Sequence, residues 1–400
     1  MNTHAPYSPA ALRSIPGVLR CLCPCLLCLA LSAGPAWTAS GAAPASTETI
    51  ALPQETQQAL ADVLDAAAAK TYPEETSLRA ILAFALANGM DADSRVLPER
   101  PEGEGVFHHR PLPFSLADLM TYTLNPAIPG ESLYPNSVRR NAWRPQSPIL
   151  TEWENLVQSP LPPQATLFTR GTEFEEITPD ETSGSYYTYD LERLFALMPL
   201  SDGKGTALFM VSVQPKPSLI GLKGAIIGQD LNWNYVYTGV QGSTLPMVGW
   251  AETHIYSAAT VTIWLDAGSG LQFYVFKWLK AGWAGMNMVK AGHINAGINR
   301  YLSGLTQILG SDQRPTAEAI AMHTKALQAM SDDELTAALA PYCEKLTLLA
   351  KAQGLEGGDF AKVLKNGGYA QSLGREDRIS ELLKLYMKNQ LGMITPSPMP

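Results

Sequence analysis

Residues 98–163 carry twelve of the chain's thirty prolines. Each proline removes a backbone N–H donor and pushes the residue before it out of helical geometry, so neither a long helix nor a central strand is expected here. Regular structure is predicted only in short pieces, Ser115–Tyr122 and Ile149–Val157 among them. The stretch is nonetheless too apolar for a solvated linker, because Phe107, Phe114, Tyr134, Trp143 and Trp153 would face water. It reads as an ordered connector wrapped over its neighbours. The chain then divides into a leader (1–42), a helical N-terminal unit (43–97), the connector (98–163), an α+β sheet domain (164–310), a helical C-terminal unit (311–392) and a tail (393–400).

The leader has the layout of a secretory signal peptide. Arg13 and Arg20 precede an apolar run from Cys21 to Ala33, and small residues follow at Ala39-Ser40-Gly41-Ala42. The run is too short for a permanent span, which needs about 20 residues. Cleavage near Ala42 is expected to yield a periplasmic or secreted protein, an address that fits an envelope protein partner. Cys21, Cys23, Cys25 and Cys28 would leave with the leader, and bulky Leu27 argues against lipidation of Cys28. Cys343 alone cannot form an intramolecular disulfide and is read as a buried thiol on a helix. Removing Arg13 and Arg20 from the 29 basic residues leaves 27 against 37 acidic ones, a charge of −10. Such a surface repels phosphate backbones, so nucleic acid is not expected as a partner. No later segment is apolar for long enough to span a bilayer, so the cleaved chain is not expected to be an integral membrane protein.

Periodicity supplies the elements. Leu60, Val63, Leu64 and Ala67 predict one helix, and Leu78, Ile81, Leu82, Ala85 and Leu86 a second. In the central unit strands are predicted at Ala165–Ile177, Thr206–Val213, Lys223–Gln229, Asn234–Val240, Trp250–Ser257, Ala259–Asp266 and Leu271–Trp278. Between the first two, Leu191, Leu194, Phe195 and Met198 predict a helix over Tyr189–Leu197. A long helix follows from Trp283 to Leu309, and its glycines call for close approach to a sheet or ligand, or for a bend near Gly292. The C-terminal unit is helical, with a Ser331/Glu334 capping box, a kink at Pro341 and an amphipathic last helix over Arg375–Gly392. The fold class expected is α+β: a central antiparallel sheet packed on a long C-terminal helix, flanked by N- and C-terminal helical units.

Catalytic signatures are scarce. No G-x-S-x-G elbow, H-E-x-x-H, Walker loop or paired C-x-x-C occurs after the leader, so no cofactor, metal or catalytic residue is assigned. Glu252 and His254 share one face of a predicted strand and could form an acid/base pair, or simply a polar sheet face. His293 is read as bordering a cavity, His108 and His109 as surface residues, and Asp230 with Asn232-Trp233-Asn234 as a polar turn that could stack a sugar.

Five tryptophans fall between residues 233 and 301, among many tyrosines and phenylalanines. Two readings stay open: a sheet covered on both faces, or a cavity for an apolar ligand. The element order of Gln164–Gly310, one strand, a helix, six strands and a long helix, is similar to the START-like or helix-grip architecture. That resemblance implies a curved sheet folded around its last helix, enclosing an apolar or lipid-like molecule. Gly285, Gly292 and Ala296 would then border the cavity, with Trp250, Trp264, Tyr274 and Trp278 lining it. The expected function is an exported, non-catalytic binding protein for such a molecule. The alternatives are an envelope structural or interaction protein docking through its helical flanks, with Arg375–Gly392 as the docking helix, and an enzyme using Glu252 and His254.

Overall fold

The computed structural model describes residues 49–89, 94–181, 183–245, 249–266, 268, 270–365 and 368–393, with no side chains at 243–245 and 249–250. The leader and residues 394–400 of the tail lie outside the described residues. Helices α1 (Gln54–Ala68) and α2 (Glu75–Asn88) form where the 3.6-residue spacing placed them, burying Leu60, Val63, Leu78 and Ile81.

The proline-rich segment is not a connector. It supplies the hairpin β1 (Ser94–Arg100) and β2 (Gly103–Leu112), then α3 (Leu116–Thr123), β3 (Val138–Trp143) and α4 (Ile149–Val157). All three strands belong to the main sheet. Its prolines are tolerated because Pro98 lies on β1, an edge of that sheet, Pro111 sits near the end of β2, and the others lie outside strands.

The strands that follow are β4 (Leu167–Ile177), β5 (Ser185–Tyr186), β6 (Thr188–Pro199), β7 (Thr206–Val213), β8 (Leu222–Ile226), β9 (Tyr235–Gln241), β10 (Ser243–Leu245), β11 (Gly249–Ala251), β12 (Thr253–Asp266) and β13 (Leu271–Trp283). The helix predicted over Tyr189–Leu197 is therefore strand β6. Leu194, Ala196 and Met198 face one side of the sheet while Phe195 and Leu197 face the other, and all five are buried. A strand buried on both faces reads as a continuous apolar run, which loses the period of two.

The main sheet has the order β1-β2-β13-β12-β7-β6-β4-β3, every neighbouring pair antiparallel. Its outer face packs on α1 and α2, with Phe107 and Phe276 at 4.8 Å between ring centroids and Phe84 beside both. Its inner face carries Leu197, Leu208, Trp264 and Phe273 against α3 and helix α5 (Ala291–Leu309). Helix α5 begins later than predicted because β13 continues to Trp283 and Ala284–Lys290 turns the chain back. Gly282 and Gly285 thus lie outside it. Among its own glycines, Gly292 and Gly297 face open space, whereas a Cβ on Gly304 would overlap Asn136. Asn136 donates its amide to the Arg300 carbonyl at 2.6 Å, so the close approach is to the loop before β3 and not to the sheet. The fold class is α+β, as the sequence predicted.

Strands β5, β8 and β9 form a second sheet, followed in the chain by α6 (Ala317–Ala329), α7 (Asp332–Ala352), α8 (Gly358–Leu364), α9 (Tyr369–Ser372) and α10 (Arg375–Gln390). Tyr369 in α9 ties α9 to β9, accepting from Tyr237 N–H at 3.1 Å and donating to the Tyr235 carbonyl at 3.2 Å. Ser331 and Glu334 form the predicted capping box, and α7 runs through Pro341. The described residues belong to one compact unit.

The buried face of α10 gives a pH dependence. Lys388 Nζ donates to Asn234 Oδ1 at 2.7 Å. Burial and the nearby Lys384 push the pKa of Lys388 down to about 7, with Glu381 opposing. An unfolded lysine holds its proton to about pH 10.4, so above pH 7 the unfolded chain binds more protons and stability rises with pH. Burial pushes the Cys343 thiol up from 9.0 to about 12, which opposes the climb above pH 9 and levels it off. Urea midpoints are expected to climb from about pH 7 to 9, and Lys388→Met to flatten the climb. Identical slopes in the two proteins would refute this assignment.

Candidate functional site

The predicted lining residues do not converge. Trp264 lies on the inner face, donating Nε1–H to Met210 Sδ at 2.9 Å beside Phe273. Tyr274 and Trp278 lie on the outer face, because successive strand residues point to opposite sides. Tyr274 stacks on His109 at 4.6 Å, and Trp278 donates to the Pro98 carbonyl at 3.0 Å. The side chain of Trp250 is outside the described set. Gly285 sits in the turn before α5, its N–H donating to Tyr256 Oη at 2.8 Å. Gly292 and Ala296 are on the solvent side of α5, so they border no cavity beneath it.

The other candidates are dispersed too. Glu252 is exposed between β11 and β12, while His254 Nδ1 meets the Ser218 carbonyl at 3.0 Å, and no hydrogen bond or ion pair joins the two. His108 is buried, with Nδ1 3.1 Å from Asn295 Oδ1 on α5, and not at the surface as predicted. His293 accepts from the Lys290 N–H at the exposed start of α5. Trp233 is wholly buried, so its indole offers no face to a sugar, and Asp230 is held by a two-pronged contact from Arg300. Among the described residues no group of three or more His, Cys, Asp or Glu could hold a metal ion.

What the sheet does bring together is a set of polar residues on its inner face. Arg193, Ser212, Thr260 and Lys277 stand in register on the four adjacent strands β6, β7, β12 and β13. At about 4.8 Å per strand, the row is roughly 14 Å long. Glu173 and Glu175 stand beside it on β4. Arg193 Nε donates to Glu173 Oε2 at 2.7 Å and Nη2 to Glu175 Oε1, so one guanidinium holds both carboxylates. Tyr189 stands directly opposite Glu175 on β6. Tyr134 and Tyr301 meet edge to face at 5.2 Å, close enough to Glu173, Glu175 and Arg193 to feel their charges.

Water reaches part of this face. Along β12 the outward alternates Ala259, Val261 and Ile263 are buried, whereas inner-face Ala258, Thr260 and Thr262 keep solvent contact. Met210, Lys277, Tyr134, Tyr189 and Tyr301 are half-buried in the same way. Burial holds the Lys277 ammonium below the usual lysine range, with Glu175 opposing and Arg193 reinforcing. Burial pushes Glu175 up against the pull of Arg193. Tyr134, Tyr189 and Tyr301 are likewise pushed up and stay protonated donors at neutral pH.

The donor and acceptor inventory is uneven. Both carboxylates are engaged by Arg193, whereas Lys277 makes no hydrogen bond or ion pair among the described residues. Titratable groups displaced from their ordinary values on a partly exposed face, one of them a cation with no protein partner, make this cluster the candidate site. Sequence reasoning missed this site, although Lys277 is the single charge in Leu271–Trp278 and Glu173 and Glu175 alternate on one strand face. No protein-family model matches the chain, and no curated protein or solved structure is significantly similar to it.

Proposed function

We propose that the protein binds a small amphipathic acid on the inner face of the main sheet, its acidic head against Lys277 and its apolar part along Met210 and Leu279. The carrying observation is the unpaired, half-buried ammonium of Lys277 in the middle of a sheet. A half-buried ammonium with no protein partner is only partly compensated by water, and an anionic ligand supplies the missing charge. The hydroxyls of Thr260, Ser212, Tyr134 and Tyr301 offer further donors around it. Glu173 and Glu175, tied to Arg193, keep this face from being strongly positive, which favours a weak acid over a polyanion. The helix-grip likeness supports the reading through the packing of the last helix of that region on the inner face. Export from the cytoplasm belongs to the same proposal and rests on the leader alone. Among the described residues no helix is long and apolar enough to cross a membrane.

Dodecanoate serves as the probe. Calorimetry on the full chain is expected to show saturable binding. Lys277→Gln should raise Kd at least about tenfold, equivalent to 1.4 kcal/mol, while leaving the thermal midpoint unchanged or higher. Acetate should bind far more weakly than dodecanoate. Equal Kd values for the unmodified protein and Lys277→Gln would sink the proposal, and failure to take up dodecanoate would do the same.

A further inference from the structure

A separate cavity of about 220 Å³ opens between the end of α1, the loop joining β3 to α4, and strands β4 and β6. Its lining includes Lys70, Arg144, Arg170, Arg193, Thr172 and Glu192; the Arg193 guanidinium is committed to Glu173 and Glu175, which leaves three cations against one carboxylate. That carboxylate is already engaged. Lys70 Nζ lies 3.0 Å from Glu192 Oε1, and Thr172 Oγ1 donates to Oε2 at 2.8 Å. Arg144 gives Nε and Nη2 to Asp190 Oδ1, leaving Nη1 uncommitted. Arg170 is half-buried on β4 and makes no hydrogen bond or ion pair among the described residues.

The arrangement is unusual for this chain. Its formal charge is −8 and acids outnumber bases, yet an arginine is left unpaired inside a cavity. Burying a guanidinium part-way without an anion is unfavourable, and its fork geometry matches an oxyanion that accepts two parallel hydrogen bonds. We propose that this cavity binds a small phosphate monoester, its phosphoryl oxygens shared among Arg170, Arg144 Nη1 and Lys70. A planar carboxylate satisfies one fork, whereas three cations approaching from three elements suit a dianion whose oxygens point in different directions. The cavity volume is several times the roughly 30 Å³ of one water in the liquid, which leaves room for the organic part of the ester.

The test uses the full chain with inorganic phosphate and glycerol phosphate as probes, followed by calorimetry and by phosphorus NMR line broadening. Saturable binding of both is expected, glycerol phosphate at least as tight as phosphate. Arg170→Gln should raise both Kd values at least about tenfold. Lys70→Gln, on a side chain that is 51% exposed, provides a second variant whose folding is not in question. It should weaken both probes in the same direction. The proposal is overturned by absence of saturable phosphate binding, by unchanged affinity in both variants, or by acetate displacing phosphate at equal concentration. Dodecanoate binding on the inner face should be unaffected by either substitution, which keeps the two sites distinguishable.

Discussion

Replacing Arg193 with methionine is expected to destabilise the protein by about 3–5 kcal/mol at neutral pH, the range found when one partner of a buried ion pair is removed. The arginine side chain is only 17% exposed and the two carboxylates it holds are at 5% and 9%. Its loss strands both Glu173 and Glu175 on the inner face with no guanidinium between them. Two like charges then face each other across one strand position, and neutralisation becomes the cheaper state. Glu175 is already pushed up by burial in the intact protein, with Arg193 pulling it back. Without that pull its folded pKa rises further above the unfolded value of about 4.3. A carboxyl with a raised folded pKa favours the native state below the unfolded pKa and loses that contribution as pH climbs. The deficit of Arg193→Met should therefore shrink as pH falls from 7 towards about 4.5, measured as the difference in urea midpoints. A deficit that is small at pH 7, or constant down the whole range, would show that the cluster is open to bulk water. The same result would remove the electrostatic basis of the proposed ligand site.

The sequence disclosed the helices more readily than the sheet. Helices α1, α2 and α10 lie half in water, so their apolar residues recur at 3.6-residue spacing and their positions were legible. Strand β6 was not, because Leu194–Met198 is apolar on both faces of a doubly covered sheet and the run fits a helical stripe as well as a strand. The prolines of 98–163 concealed β1, β2 and β3 for a different reason. Proline disfavours a central strand, yet Pro98 lies on the edge strand β1, Pro111 sits near the end of β2, and β3 falls between prolines. The candidate site was less legible still. Glu173, Arg193 and Lys277 are far apart in the chain and meet only through strand order, which local patterning does not encode. The aromatic residues that seemed to advertise a cavity divide instead between two faces, where Trp264 and Phe273 fill one core and Phe276 and Trp278 the other. Likewise, the amphipathic stripe of α10 suggested a partner helix but is used internally, with Leu383 and Met387 fully buried.

That internal use of α10 sets up the second large effect, expected from Lys384→Met. Lys384 and Glu381 stand three residues apart on α10, their side chains 1% and 3% exposed, with Nζ 2.6 Å from Oε1. The ammonium also lies 5.2 Å from the centroid of the Tyr235 ring on β9, so the pair faces the second sheet and not solvent. Glu381 Oε2 has no hydrogen-bond partner among the described residues, which makes the carboxylate depend on Lys384. Removing the lysine should cost about 3–5 kcal/mol, whereas Glu381→Met combined with Lys384→Met should recover most of it, since two apolar side chains replace two desolvated ions. The coupling from this double-mutant cycle is then of the same order as the single loss. A second readout is independent of unfolding energies. With Lys384 gone, Lys388 loses a repelling neighbour while Glu381 still pulls its pKa up, so that pKa should rise from about 7. The rise of stability between about pH 7 and 9 should start later in Lys384→Met than in the unmodified protein. Additive single and double losses, together with an unmoved pH profile, would mean that α10 carries its charges in contact with water and that its docking on the second sheet is apolar alone.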